Sequence, residues 1–252
     1  MCGRFVLTTP SDALAAEFAA LTGGLQLRPR WNIAPMTDVV VVRVVDGQRR
    51  LSLQRWGLLP SWARDPSIAA KLINARGETA AEKPSFRDAM RRRRCIVPAS
   101  GFYEWKRSGS RKQPWYFRPG DASTPVAASP AATPGRGTLA MAGLWETWTS
   151  PGGELVETCC LLTTAPNRVM APVHDRMPVL LDDEGVARWL DPSTDDAKEL
   201  ACLLRPAPDA ALDAFPVSSA VGAVRNDDAT NIQPIDVEDS DGPPPPAQGS
   251  LF

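Results

Sequence analysis

The stretch 39-VVVVRVVDGQRRLSLQRWGL-58 decides the fold class. Val39–Val45 is almost wholly β-branched, and such side chains pack best on a pleated surface. Asp46-Gly47 follows, a pair suited to a two-residue turn that needs positive φ at both positions. The chain then resumes in LSLQRWGL, so the whole stretch reads as a β-hairpin. Working outward, CIVPASGFYEW (95–105), PWYFR (114–118), TLAMAGLWETW (138–148) and LVETCCLLTTA (155–165) are rich in aromatic and β-branched residues and predict further strands. Helical pieces fit Ser11–Leu21, with Ser11 as N-cap, and Ser85–Arg93, Glu184–Leu190 and Thr194–Leu203. Many strands with a few short helices predict an α+β single domain, with a curved, barrel-like β core flanked by those helices. No internal repeat is visible.

The chain has 252 residues, 43% hydrophobic and 23% charged, an ordinary balance for a globular protein. Its net charge of −1 is unevenly spread. Asp236, Glu238, Asp239 and Asp241 cluster near the C-terminus with no base among them, leaving the rest mildly positive, which permits contact with a polyanion. Residues 119–137 are Ala/Pro-rich and read as a flexible insertion, and 237–252 as a disordered acidic and Pro-rich tail. The N-terminus has no apolar leader and no run is long enough to span a membrane, so a cytoplasmic setting is expected. The five cysteines form no C-x-x-C pair and have no histidine beside them, so no metal or cofactor is expected. Cys95, Cys159, Cys160 and Cys202 lie among apolar neighbours and read as inert core thiols.

Cys2 is different. Loss of Met1 would leave it as an N-terminal residue, with an amine of pKa about 7.7–8.0 and a thiol of about 8.5 on adjacent carbons, both partly nucleophilic near neutral pH. The amine can form a Schiff base with an aldehyde and the thiol can close on the imine carbon, giving a thiazolidine. Three more polar residues sit in unusual company. His174 is the single histidine and lies in a Pro-flanked turn, where an imidazole suits proton transfer near pH 7. Glu104 is held between Tyr103 and Trp105, where burial would make it a usable acid or base. Asn74, in KLINARGET, can hold an oxygen without changing charge. Arg4, Arg76 and Arg176 lie beside these residues, and if the polar groups converge, three guanidinium groups suited to phosphate converge with them. Trp56 and Trp62 offer stacking faces for bases or serve as core. The Arg91–Arg94 run reads as a solvated helix end, with phosphate contact a secondary role.

MCGRF, WNIAP (31–35), WGLLPSW (56–62), NARGET (74–79), RRCIVPASGFYEW (93–105), AGLWE (142–146), HDRMPV (174–179) and VRNDD (224–228) occur in that order. Together they resemble the SRAP family, the abasic-site processing proteins first labelled SOS response-associated peptidases, over about residues 2–236. The resemblance implies a monomeric, nucleoid-associated protein whose Cys2 traps the ring-opened abasic sugar of single-stranded DNA as a thiazolidine, with AP lyase activity beside it. By the same resemblance Asn74 positions the sugar, Glu104 acts in imine formation and ring closure, and His174 moves a proton at the sugar oxygen. Arg4, Arg76 and Arg176 are the implied phosphate contacts. Two other readings use the same chain. One is an N-terminal-nucleophile cysteine hydrolase or peptidase, with Asn74 at the oxyanion. The other is a non-enzymatic module that docks on the replication sliding clamp, since QGSLF is similar to a clamp-binding pattern with Gln248, Leu251 and Phe252 as anchors.

Overall fold

The computed structural model describes residues 2–120 and 137–236. The hairpin forms as its sequence predicts. Strands β3 (Asp38–Val45) and β4 (Gln48–Trp56) pair from Asp38↔Arg55 to Val45↔Gln48, and the turn residues Asp46 and Gly47 take φ of 51° and 74°. The other strands are β1 (Phe5–Leu7), β2 (Arg30–Ile33), β5 (Asn74–Arg76), β6 (Arg94–Ala99), β7 (Gly101–Ser108), β8 (Arg111–Pro119), β9 (Leu139–Thr149), β10 (Leu155–Thr164), β11 (Met177–Pro178) and β12 (Leu212–Pro216). The α-helices are short: α1 (Ser11–Glu17), α2 (Gly77–Ala80), α3 (Arg87–Arg92), α4 (Asp183–Leu190) and α5 (Ala197–Leu203).

The hairpin is two staves of a closed barrel. β3 pairs β6 at Val42↔Ile96, β6 pairs β9, and β9 pairs β10, all antiparallel. β10 then returns to β4 in parallel at Thr158↔Arg55 and Cys159↔Trp56, which closes a ring of five strands without a free edge. Val40–Val42, Leu51, Trp56, Ile96, Leu144 and Cys159–Leu162 are buried in one continuous core. A second sheet, in the order β12-β8-β7-β1-β2, packs on this barrel. The α+β single-domain architecture with a barrel core is thus what the chain forms.

The run 95–105 is two strands, not one. β6 lies in the barrel and β7 in the second sheet, with the change at Ser100-Gly101. A Cβ at Gly101 would collide with the Tyr116 hydroxyl and the Phe117 carbonyl oxygen, so only glycine lets β7 lie this close to β8. This split carries Glu104 out of the barrel and into the sheet that holds the N-terminus.

Some expectations need correction. Ser11 does not cap α1: Pro10 holds the N-cap position, and the buried Ser11 hydroxyl instead accepts from the Leu27 N–H at 3.0 Å. The helix ends at Glu17, and Ala19 turns the chain with φ 48°. Cys202 is exposed, whereas Cys95, Cys159 and Cys160 are buried. Pro119 belongs to β8, paired with Leu212, and residues 121–136 of the expected insertion lie outside the described residues, as does the tail 237–252 with Gln248, Leu251 and Phe252. No helix among the described residues is long and apolar enough to cross a membrane.

Candidate active site

The second sheet sets Cys2 beside Glu104. β1 runs antiparallel to β7 with Phe5↔Phe102 and Val6↔Gly101, and the Tyr103 N–H donates to the Arg4 carbonyl at 2.9 Å. Continued in that register, the residues before Arg4 lie along Glu104. Both side chains are enclosed, Cys2 at 1% exposure and Glu104 at 4%.

The barrel supplies the facing wall. The C-terminal end of β10 carries β5 on one side, in parallel at Leu161↔Asn74 and Thr163↔Arg76, and β11 on the other at Thr163↔Pro178. Asn74 is thereby aimed at the N-terminus, and its Nδ2 donates to the Cys2 carbonyl at 2.8 Å. Its Oδ1 is buried with no hydrogen-bond partner among the described residues, an acceptor held ready for a donor from outside. The turn before β11 brings His174 to the same end of β10.

The His174 Nδ1 accepts the Arg176 backbone N–H at 3.0 Å, and the exposed Asp175 Oδ1 lies 2.9 Å from the same nitrogen.

The Cys2 thiol is not the ready nucleophile its reference value suggests. Burial, reinforced by the negative charge of Glu104, pushes it up to about 12. The thiol therefore stays protonated at neutral pH.

The three arginines have different fates. Arg4 is tied inward: its Nη1 donates to Asn32 Oδ1 at 2.7 Å and to the Val221 carbonyl at 2.9 Å, and its guanidinium lies 5.9 Å from the Trp105 ring centroid. Arg176 forms a forked pair with Glu78, at 2.7 and 2.8 Å, and also donates to the Thr163 carbonyl at 2.6 Å. That pair holds the Glu78 carboxyl below the ordinary range and offsets the Arg176 charge. Arg76 is exposed, and among the described residues no hydrogen bond or ion pair engages its side chain. Trp56 is core rather than a stacking face: it is buried, donates its indole N–H to the Ile73 carbonyl at 2.9 Å, and meets Phe5 edge-on at 5.2 Å. Trp62 is 55% exposed and presents an open ring.

Asn32, Asp227 and Glu78 are the polar residues whose roles sequence reasoning missed. Asn32 Nδ2 donates to the Val221, Ala223 and Asn226 carbonyls, and Asp227 Oδ1 accepts the backbone N–H groups of Trp31 and Asn32. They lie inside the WNIAP, VRNDD and NARGET stretches, so the signal was present as motifs without an assigned task.

An enclosed cysteine at position 2, just before the first strand and set between a carboxylate and an amide, defines a class of site built close to the start of the chain. The model of the SOS response associated peptidase (SRAP) family matches residues 1–224, and the chain belongs to that family. It is 39% identical over 230 residues to the Bacillus subtilis abasic site processing protein YoqW, covering 90% of this chain and 96% of that protein. It is 31% identical over 273 residues to the Xenopus tropicalis abasic site processing protein HMCES, covering 96% and 81%. Among solved structures, a protein from Bacteroides thetaiotaomicron matches with a TM-score of 0.78 and 26% identity, covering 93% of this chain and 100% of that one.

Proposed function

We propose that this protein processes abasic sites in single-stranded DNA by forming a covalent thiazolidine between Cys2 and the ring-opened deoxyribose. The observation that carries the reading is the hydrogen bond from Asn74 to the Cys2 carbonyl, beside the enclosed Glu104. It holds the terminal residue in one orientation, the condition under which two nucleophiles on adjacent carbons act on one carbonyl. The relatives' names, abasic site processing proteins, supply the substrate class.

Removal of Met1 converts the Cys2 nitrogen from an amide to an amine. That amine adds to the C1′ aldehyde and water leaves, giving an imine. The protonated thiol then adds to the imine carbon: the sulfur–carbon bond forms and the thiol proton ends on nitrogen. Because the thiol is held neutral, the amine acts first, and the Glu104 carboxylate takes up and returns the proton. His174 exchanges a proton at the sugar oxygen, and the buried Asn74 Oδ1 accepts a hydrogen bond from a sugar hydroxyl. An imine that eliminates the 3′ phosphate before sulfur closes on it gives strand cleavage, the lyase outcome.

The test is incubation of Met1-processed protein with a single-stranded oligonucleotide carrying one abasic site. A band resistant to heat and detergent is expected from the native protein. Cys2→Ala should lose it, yet become trapped by borohydride through its remaining amine. A native protein whose intact mass lacks Met1 and that forms no band refutes the proposal.

A further inference from the structure

The four-arginine run ending at Arg94 does two jobs. Arg94 is buried and donates to the carbonyls of Met90, Arg91, Trp189 and Asp191, and Arg93 pairs with Glu146 at 2.7 Å. These two fasten the end of α3 to the barrel. Arg91 and Arg92 instead face outward, and so do Arg87, one turn earlier, and Lys83 on the turn before the helix. Phe86, Ala89 and Met90 are the buried face. The Lys83 carbonyl accepts from the Arg87 N–H at 2.9 Å, which ties the turn before α3 to the first residue of the helix. Arg87 and Arg91 stand at i and i+4 on the helix, about 6 Å apart, with Lys83 on the turn that precedes it. The acids on this surface are Glu82 and Asp88. Asp88 lies 3.5 Å from Arg87 with both side chains exposed, a pair that offsets little in water. Asp191 and Asp195 act on Arg94, on the fastened side of the helix.

This basic surface has a defined position relative to the site. Asn74 pairs with Leu161, Leu161 with Gly143, and Gly143 with Cys95, in the strand that follows α3. Three interstrand steps of about 4.8 Å put Cys95 about 14 Å from Asn74 along the curved sheet, and α3 ends three residues before Cys95. On the chain's other route, the exposed Arg76 leads through α2 to Lys83.

We propose that the outer face of α3 and the turn before it are a second DNA contact, in which Lys83, Arg87, Arg91 and Arg92 hold the phosphate backbone of DNA running on from the captured nucleotide. The inference rests on the reading of damaged DNA as the substrate. Its chemistry is charge matching along an exposed basic surface, indifferent to base sequence. It makes affinity grow with DNA length beyond what the site itself covers.

The test compares the full-length native protein with Arg87→Gln/Arg91→Gln/Arg92→Gln, which removes charge while keeping helix-forming side chains. Anisotropy with an undamaged oligonucleotide of about 30 nucleotides should show affinity falling about tenfold near 0.1 M salt, and the log–log salt slope shrinking by about 2, three contacts at roughly 0.7 each. Capture of an abasic oligonucleotide of about five nucleotides should keep its native rate, whereas capture of the long one at subsaturating protein should slow with the affinity. Unchanged affinity and slope on long DNA overturn the proposal, and so does equal impairment on short and long substrates. Long DNA bound through α3 by a protein that never crosslinks overturns the capture chemistry and leaves this surface standing; a native protein that binds no DNA overturns both.

Discussion

A thiol-alkylating reagent offered to the folded protein at about pH 8 should modify Cys202 and spare Cys2. Cys202 is exposed, while Cys2 is buried and its thiol is pushed from 9.0 up to about 12. At that pH an ordinary thiol is about 10% thiolate and the Cys2 thiol about 0.01%, a difference of roughly a thousandfold in the reactive species before access is considered. Cys160 is raised to about 12 by its own burial, and Cys95 and Cys159 also lie well above the ordinary range, so these three are internal controls. The assay is a timed reaction with iodoacetamide, acid quench, digestion and mass measurement of each cysteine peptide. The same reaction in denaturant should label all five cysteines at similar rates. Labelling of native Cys2 within about tenfold of the Cys202 rate would mean an open, ionised terminal thiol. The amine-first order of events would then lose its physical basis.

Further expectations concern the groups around that thiol. Asn74→Ala removes the bond to the Cys2 carbonyl, worth about 1 kcal/mol, and should slow capture by about tenfold while Tm shifts little; single-turnover crosslinking measures it. Glu78→Gln removes the charge that offsets Arg176 and should raise affinity for undamaged single strands several-fold at low salt, with a salt slope steeper by about 0.7, read by anisotropy. Stability should fall in alkali. The buried thiols stay neutral when folded, so their contribution is complete below an unfolded value near 9.0 and is lost as pH rises towards about 12, at up to about 1.4 kcal/mol per pH unit for each thiol. Urea unfolding across that range checks it. For the tail, deletion of residues 248–252 should abolish binding to a bacterial sliding clamp and leave abasic-site capture intact; equal clamp affinity with and without those residues ends that idea.

The parts of the fold legible in the sequence were those fixed by neighbours along the chain. Asp46-Gly47 determined its turn, and the Val-rich run its strand, because both depend on local backbone preference. The barrel's closure was not legible, since β4 and β10 meet through residues about a hundred positions apart and no local pattern records that pairing. The break at Gly101 was hidden in a continuous strand-like run because its cause is the approach of Tyr116 and Phe117 from another strand. At the site, residue types pointed to Cys2, Asn74, Glu104 and His174, but not to the direction of their contacts. A sequence cannot say that Asn74 reaches the Cys2 backbone, that Glu78 occupies Arg176, or that Trp56 turns inward. The thiol's protonation was misread for the same reason: a reference value describes a solvated group, and burial is a property of the folded chain.

The clasp on Arg4 has a consequence for biosynthesis. The acceptors that hold Arg4 and Asn32 are carbonyls of Val221, Ala223 and Asn226, and the Val221 carbonyl is made 217 residues after Arg4. During synthesis Arg4 and Asn32 wait without these partners until that distant segment emerges. Any product that terminates before position 221 carries Cys2 and Arg4 without this fastening.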